Sequence, residues 1–159
     1  MRKINKIIVH CSATSPEMDV DVPTIRRWHV EENGWSDIGY HYVITPDGML
    51  HDGRPVSKSG AHTRGQNSNS IGICLVGGLK RHGDGSTEAE FNFTLKQLIT
   101  LMQMYDTGFY SDGDTEESFG SYPWFGHRDF DNKKACPTFD VSEFVKHWRI
   151  IPALTTGKE

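Results

Sequence analysis

The sequence predicts an α+β domain with a three-layer, α/β/α-like build: a central mixed β-sheet with helices packed on its faces. Three observations lead there. Short apolar runs rich in β-branched residues at 5–11 and 70–76 read as buried strands. Pro46-Asp47-Gly48 sits between two strand-like stretches and reads as a hairpin turn. Helical periodicity separates the strand candidates, so the sheet has to mix parallel crossovers with an antiparallel hairpin.

In chain order, residues 5–11 form the first strand, and the turn-rich stretch 12–23 follows with two prolines. Thr24 to Glu32 is predicted helical, because Ile25, Trp28 and His29 fall at i, i+3 and i+4. Pro23 and Thr24 suit its start and Asn33-Gly34 its stop. Residues 39–44 and 49–51 are the two arms of the hairpin. The Gly, Ser and Asn content of 53–69 predicts a loop, and Gly77-Gly78 ends the central strand at 70–76. Thr94 to Tyr105 is the best-marked helix, opened by a Thr94/Gln97 capping box and apolar at Leu95, Leu98, Ile99, Leu101 and Met102. The acidic and aromatic stretch 106–123 is predicted to be loop. Residues 123–127 suit a short strand. Asp140 and Glu143 suit a second capping box, opening a helix to about Trp148, and the polar tail after Pro152 is expected to fray.

The length of 159 residues fits one domain, with its core over roughly 5–150. A net charge of −4, with no Lys/Arg run longer than two residues, argues against a nucleic-acid partner. No stretch has the length of a membrane span, and the apolar part of the N-terminus is too short for a signal peptide, so synthesis and retention in the cytoplasm are expected. Three cysteines without paired spacing are not a disulfide framework. Cys11 and Cys74 lie in apolar strands and read as buried fillers.

Cys136 reads differently. With His10 and His127 it offers the imidazole and thiolate donors that zinc prefers, and three protein ligands leave a fourth tetrahedral position open to water. Such an open position distinguishes a catalytic zinc from a structural one. The residue types alone do not select this triple, because eight histidines allow many. The eight-residue gap between His127 and Cys136 is not a zinc-finger spacing.

Local sequence supplies the selection. Ile8-Val9-His10-Cys11-Ser12-Ala13-Thr14, Gly39-Tyr40-His41-Tyr42, the run from Asn69 to Gly78, Gly126-His127-Arg128-Asp129 and Lys134-Ala135-Cys136-Pro137-Thr138-Phe139-Asp140 occur in this order. Together they resemble the type 2 N-acetylmuramoyl-L-alanine amidases, a family that includes amidase-type phage lysozymes and peptidoglycan recognition proteins. The resemblance implies one zinc ion per chain on His10, His127 and Cys136, with Tyr40 and Lys134 catalytic. It implies hydrolysis of the bond between N-acetylmuramic acid and L-alanine in peptidoglycan, in the manner of a phage or prophage endolysin. It also makes Trp28 and His29 candidate substrate contacts, since the family uses that helix region, although a helix-face Trp equally suits a core. His62, in the Gly/Ser/Asn-rich loop before the central strand, and Asn69 are further candidates read from the residues themselves. Some phage lysozymes of this kind bind a phage RNA polymerase, a second partner whose contacts are not readable in these residues. A monomer is expected.

The chemistry of the residues is compatible with those roles. Zinc lowers the pKa of a bound water to about 7 and polarises a carbonyl. Lys134 brings a cation for a developing oxyanion, and Tyr40 a phenol that can hold water or relay a proton. No HExxH helix supplies a carboxylate base, so proton handling falls to Tyr40, Lys134 or solvent. Two other readings compete. One is a receptor that grips peptidoglycan without cutting it, against which Cys136 counts. The other is a cysteine hydrolase pairing Cys136 with His127 and using Asp129 or Asp140 as the orienting carboxylate, which leaves His10 without a role.

Overall fold

The computed structural model describes residues 1–148; the tail beyond Pro152 lies outside the described residues. Strands β1 (Lys6–Cys11), β2 (Tyr42–Ile44), β3 (Leu50–Asp52), β4 (Ser70–Leu75) and β9 (Trp124–Gly126) form one sheet in the order β3-β2-β4-β1-β9. Strand β1 runs parallel to both β4 and β9, and β2 runs parallel to β4; only the β2–β3 hairpin is antiparallel. The sheet is therefore mixed, as the sequence predicts.

Alternation along the buried strands builds two cores. Ile7, Val9, Cys11, Ile71, Ile73 and Leu75 face α2 (Leu95–Thr107) and α3 (Val141–His147), meeting Leu98, Leu101, Met104 and Val141. Cys74 and Val43 face the other way, onto α1 (Val22–Arg27), and pack with Val22 and Ile25. Ile7, Ile8 and Val9 have no exposed surface, and burying a side chain of this size contributes about 1.5–3 kcal/mol. His10, near the end of β1 and in register with Cys74, stands on the α1 side.

The caps explain the helix boundaries. Helix α1 starts at Val22, because Asp21 accepts from the Thr24 N–H at 2.9 Å; it then widens into a π-helical turn over Trp28–Glu32 and is not one α-helix over 24–32. Helix α2 carries the full Thr94/Gln97 box. Gln97 is buried, and its amide donates to the Ile44 and Val76 carbonyls at 3.0 and 2.9 Å, fixing α2 to the ends of β2 and β4. In α3 only half of the expected box forms: Asp140 accepts from the Glu143 N–H, while the Glu143 carboxylate lies against Lys146 and His147.

Two hairpins go beyond the sequence reading. Strands β5 (Leu79–Arg81) and β6 (Thr87–Ala89) pair antiparallel after β4. The stretch 106–123 is not all loop: β7 (Phe109–Ser111) pairs with β8 (Glu116–Ser118), and a 3-10 turn follows at Phe119–Ser121.

Candidate metal centre

Three chain segments converge at the C-terminal ends of β1 and β9. His10 is the fifth residue of β1 and is almost fully enclosed. His127 opens a 3-10 turn directly after β9, where Asp129 accepts from the Gly126 N–H at 2.8 Å and so turns the chain. The 134–140 loop folds back over this turn, with Arg128 N–H bonded to the Cys136 carbonyl at 2.8 Å. Gly126 permits the approach, since a Cβ there would lie 2.7 Å from Pro137 Cδ. Phe139 anchors the loop with ring contacts to Phe91, Phe93 and Phe144 at 5.5, 6.0 and 5.4 Å.

The result is a cluster of His10, His127 and Cys136 whose ligand atoms all lie within 4.8 Å of one another. Cys136 Sγ is 3.9 Å from His10 Nδ1. Zinc bonds of about 2.0–2.3 Å in tetrahedral geometry separate their donors by roughly 3.3–3.8 Å, so the cluster fits zinc with little adjustment. Burial pushes the His10 pKa well down, helped by the neighbouring His62 and His127 rings, and burial also lowers His127, with Lys134 adding to it. Both rings are therefore neutral at pH 7, the state a metal requires. The Cys11 thiol beside Cys136, together with burial, holds the Cys136 proton on. The Cys11 N–H already points at Cys136 Sγ, 3.1 Å away, where it can support a thiolate.

A cleft of about 270 Å³ opens over the cluster, and Tyr40 and Lys134 both line it. The Tyr40 ring stands 5.2 Å from His10; burial, then the nearby thiols, raise its pKa well above the usual phenol range. Lys134 is exposed, while Lys133 does not line the cleft. A roomier hollow of about 500 Å³ between α2 and β3 includes no His, Cys or carboxylate in its walls.

The other sequence candidates separate in space. His29 lines the cleft, its Nδ1 accepting from the Gly39 N–H at 2.8 Å and its ring 4.7 Å from Trp35. Trp35, an exposed cleft residue, was not among the sequence candidates; no periodicity or motif marks it. Trp28 packs against the core on the α1 side. Asn69 precedes β4 and accepts from Lys6 at 3.0 Å, at the end of the sheet opposite the cluster. His62 borders the cleft but is buried, with its Nδ1 2.8 Å from His10 Nε2; burial and the surrounding His and Arg side chains push it down to about 3. Asp129 and Asp140 are engaged in the turn at Gly126 and the cap of α3, and neither hydrogen-bonds the His127 ring. Neither of the carboxylates named for the cysteine-hydrolase reading therefore orients His127.

Comparison with known proteins bears on the family and the fold. The N-acetylmuramoyl-L-alanine amidase family matches residues 1–139. The endolysin of Enterobacteria phage K11 is 39% identical over 153 residues, covering 94% of this chain and 91% of the relative. Among solved structures, bumblebee PGRP-SA superposes with a TM-score of 0.67 at 25% identity, covering 91% of this chain and 81% of that one. Peptidoglycan recognition protein-LE, solved in complex with tracheal cytotoxin, a monomeric diaminopimelic acid-type peptidoglycan, superposes with a TM-score of 0.65 at 23% identity and covers 86% and 75% of the two chains, a likeness of fold.

Proposed function

Because the chain belongs to the N-acetylmuramoyl-L-alanine amidase family, we propose that it hydrolyses the amide between N-acetylmuramic acid and L-alanine in peptidoglycan as a zinc enzyme of endolysin type. The observation that carries this reading is the convergence of His10, His127 and Cys136 beneath a cleft that also holds Lys134 and Tyr40. Zinc held there would supply a Lewis acid and a water made nucleophilic near neutral pH.

The chain's own groups do the rest. Lys134 puts an ammonium at the mouth of the cleft, where it stabilises the negative charge that develops on the amide oxygen. Tyr40 keeps its phenolic proton and so remains a hydrogen-bond donor, its hydroxyl against the Cys74 thiol and its ring beside His10. His29 and Trp35 form an aromatic wall suited to holding the substrate. Hydrolysis leaves a carboxyl group on the muramic lactyl arm and a stem peptide with a free N-terminal alanine. No helix among the described residues is long and apolar enough to cross a membrane; by likeness to the phage endolysins, access to the wall would follow release at lysis.

The test is mass spectrometry of purified peptidoglycan after incubation with the protein. Intact stem peptides bearing free alanine amines are the expected products. Intact wall with bound protein would favour a peptidoglycan receptor instead.

A further inference from the structure

We propose that His62 is a positioning residue for His10, fixing the tautomer that leaves His10 Nδ1 free for the metal. This inference rests on the zinc reading above. His10 shows its two ring nitrogens to different surroundings: Nδ1 faces Cys136 Sγ at 3.9 Å, and Nε2 faces His62 Nδ1 at 2.8 Å. A neutral imidazole has one proton, and Nδ1 can bind a metal only if that proton is on Nε2.

The direction of the hydrogen-bond chain decides where the proton sits. The Gln66 carbonyl can only accept, and it takes the Ser70 hydroxyl proton at 2.7 Å. Ser70 Oγ is then an acceptor for His62 Nε2–H at 3.3 Å. His62 Nδ1 is left without a proton and accepts from His10 Nε2–H. Thr63 Oγ1 lies 3.2 Å from His10 Nε2 and 2.9 Å from His62 Nδ1, and a route through its hydroxyl gives the same result. The carbonyl thus sets the proton on His10 through two intervening side chains.

The ring of His62 is also fixed in place. A Cβ on Gly72 would lie 2.6 Å from its Cδ2, and one on Gly60 would lie 2.7 Å from the same atom, so the ring packs tightly against two glycine backbones. Asn67 Oδ1 accepts from the N–H groups of His62 and Thr63, both at 2.9 Å, and holds the loop that carries them. A partner of this kind orients a metal-bound histidine, and losing it typically weakens metal binding by about 10–100-fold.

The test measures zinc affinity by chelator competition, and the absorption spectrum of the cobalt(II) form, in full-length parent, His62→Leu, His62→Asn and Ser70→Ala proteins. The parent should bind one zinc. His62→Leu should bind roughly 10–100-fold more weakly and show shifted cobalt bands. His62→Asn, which offers an oxygen near the position of Nδ1, should recover most of the affinity and the parent spectrum. If His62→Leu does not fold, Ser70→Ala decides, with weaker zinc binding and a second His10 tautomer in its nitrogen NMR spectrum expected. Parent-like affinity and spectra in folded His62→Leu, equal weakness in the Leu and Asn variants, or an unchanged Ser70→Ala would each overturn the inference and leave the zinc reading standing. A parent that binds no zinc would overturn both.

Discussion

Replacing Gly72 by Ala tests how tightly the interior beneath the cluster is built. Gly72 lies in β4, between β1 and β2, and its backbone is not in the left-handed region, so the cost comes from packing. The new methyl carbon would stand 2.6, 2.7 and 2.8 Å from His62 Cδ2, Cγ and Nε2, where ordinary contact needs nearly 1 Å more. The ring has little freedom to withdraw, because the Gly60 backbone also lies close against its Cδ2 and Ser70 and Thr63 hold its nitrogens. Overpacking of this kind costs about 1–3 kcal/mol, and losing the Ser70 hydrogen bond adds about 1 kcal/mol, for a total of roughly 2–4 kcal/mol. For a chain of this size that lowers Tm by roughly 4–16 °C. Urea and thermal unfolding measure it, with Gly83→Ala as a control, since a Cβ at Gly83 meets nothing within 4 Å. Gly72→Ala as stable as the control would refute the packing argument.

Three further outcomes are expected. Cys136→Ser should lose more zinc affinity than the roughly 10–100-fold attached to a supporting partner, because a hydroxyl replaces a thiolate ligand; equilibrium dialysis with zinc measures it. Lys134→Ala should keep its zinc while kcat falls by roughly 10²–10³-fold, and an unchanged kcat would remove Lys134 from the chemistry. Acid should weaken the fold through His41, which burial holds down to about 4; its Nδ1 accepts from the Gly72 N–H, and its Nε2–H donates to the Lys58 carbonyl. Below pH 6.5 the unfolded chain takes up a proton that the folded chain refuses, so this contribution is complete above pH 6.5 and falls by about 3 kcal/mol as pH drops towards 4. The pH dependence of urea unfolding should flatten by that amount in His41→Gln.

Most of the sheet was legible because its strands are buried and apolar. The β2–β3 hairpin announced itself through Pro46-Asp47-Gly48, and α2 through a cap whose two halves are both made. The β5–β6 and β7–β8 hairpins were not read, because β6 and β8 are exposed on both sides and show no apolar alternation. Their signals were the Asp-Gly pairs at 84–85 and 112–113, which favour tight turns. Sequence spacing could not join His10 to residues 117 and more positions away; five local motifs did so through their resemblance to a family. The contact of His62 with His10 had no sequence signal beyond its glycines. Gly60 and Gly72, which look like a loop residue and an ordinary strand glycine, are the space in which that ring lies.

One zinc on His10, His127 and Cys136 is proposed to enable amide cleavage. The most direct test is to strip the protein with a chelator and add zinc back in steps, following release of stem peptides from purified peptidoglycan. Stripped protein should release nothing, and the rate should rise linearly with added zinc and break at one zinc per chain. Full activity in the stripped protein, or a rate indifferent to added zinc, would contradict it.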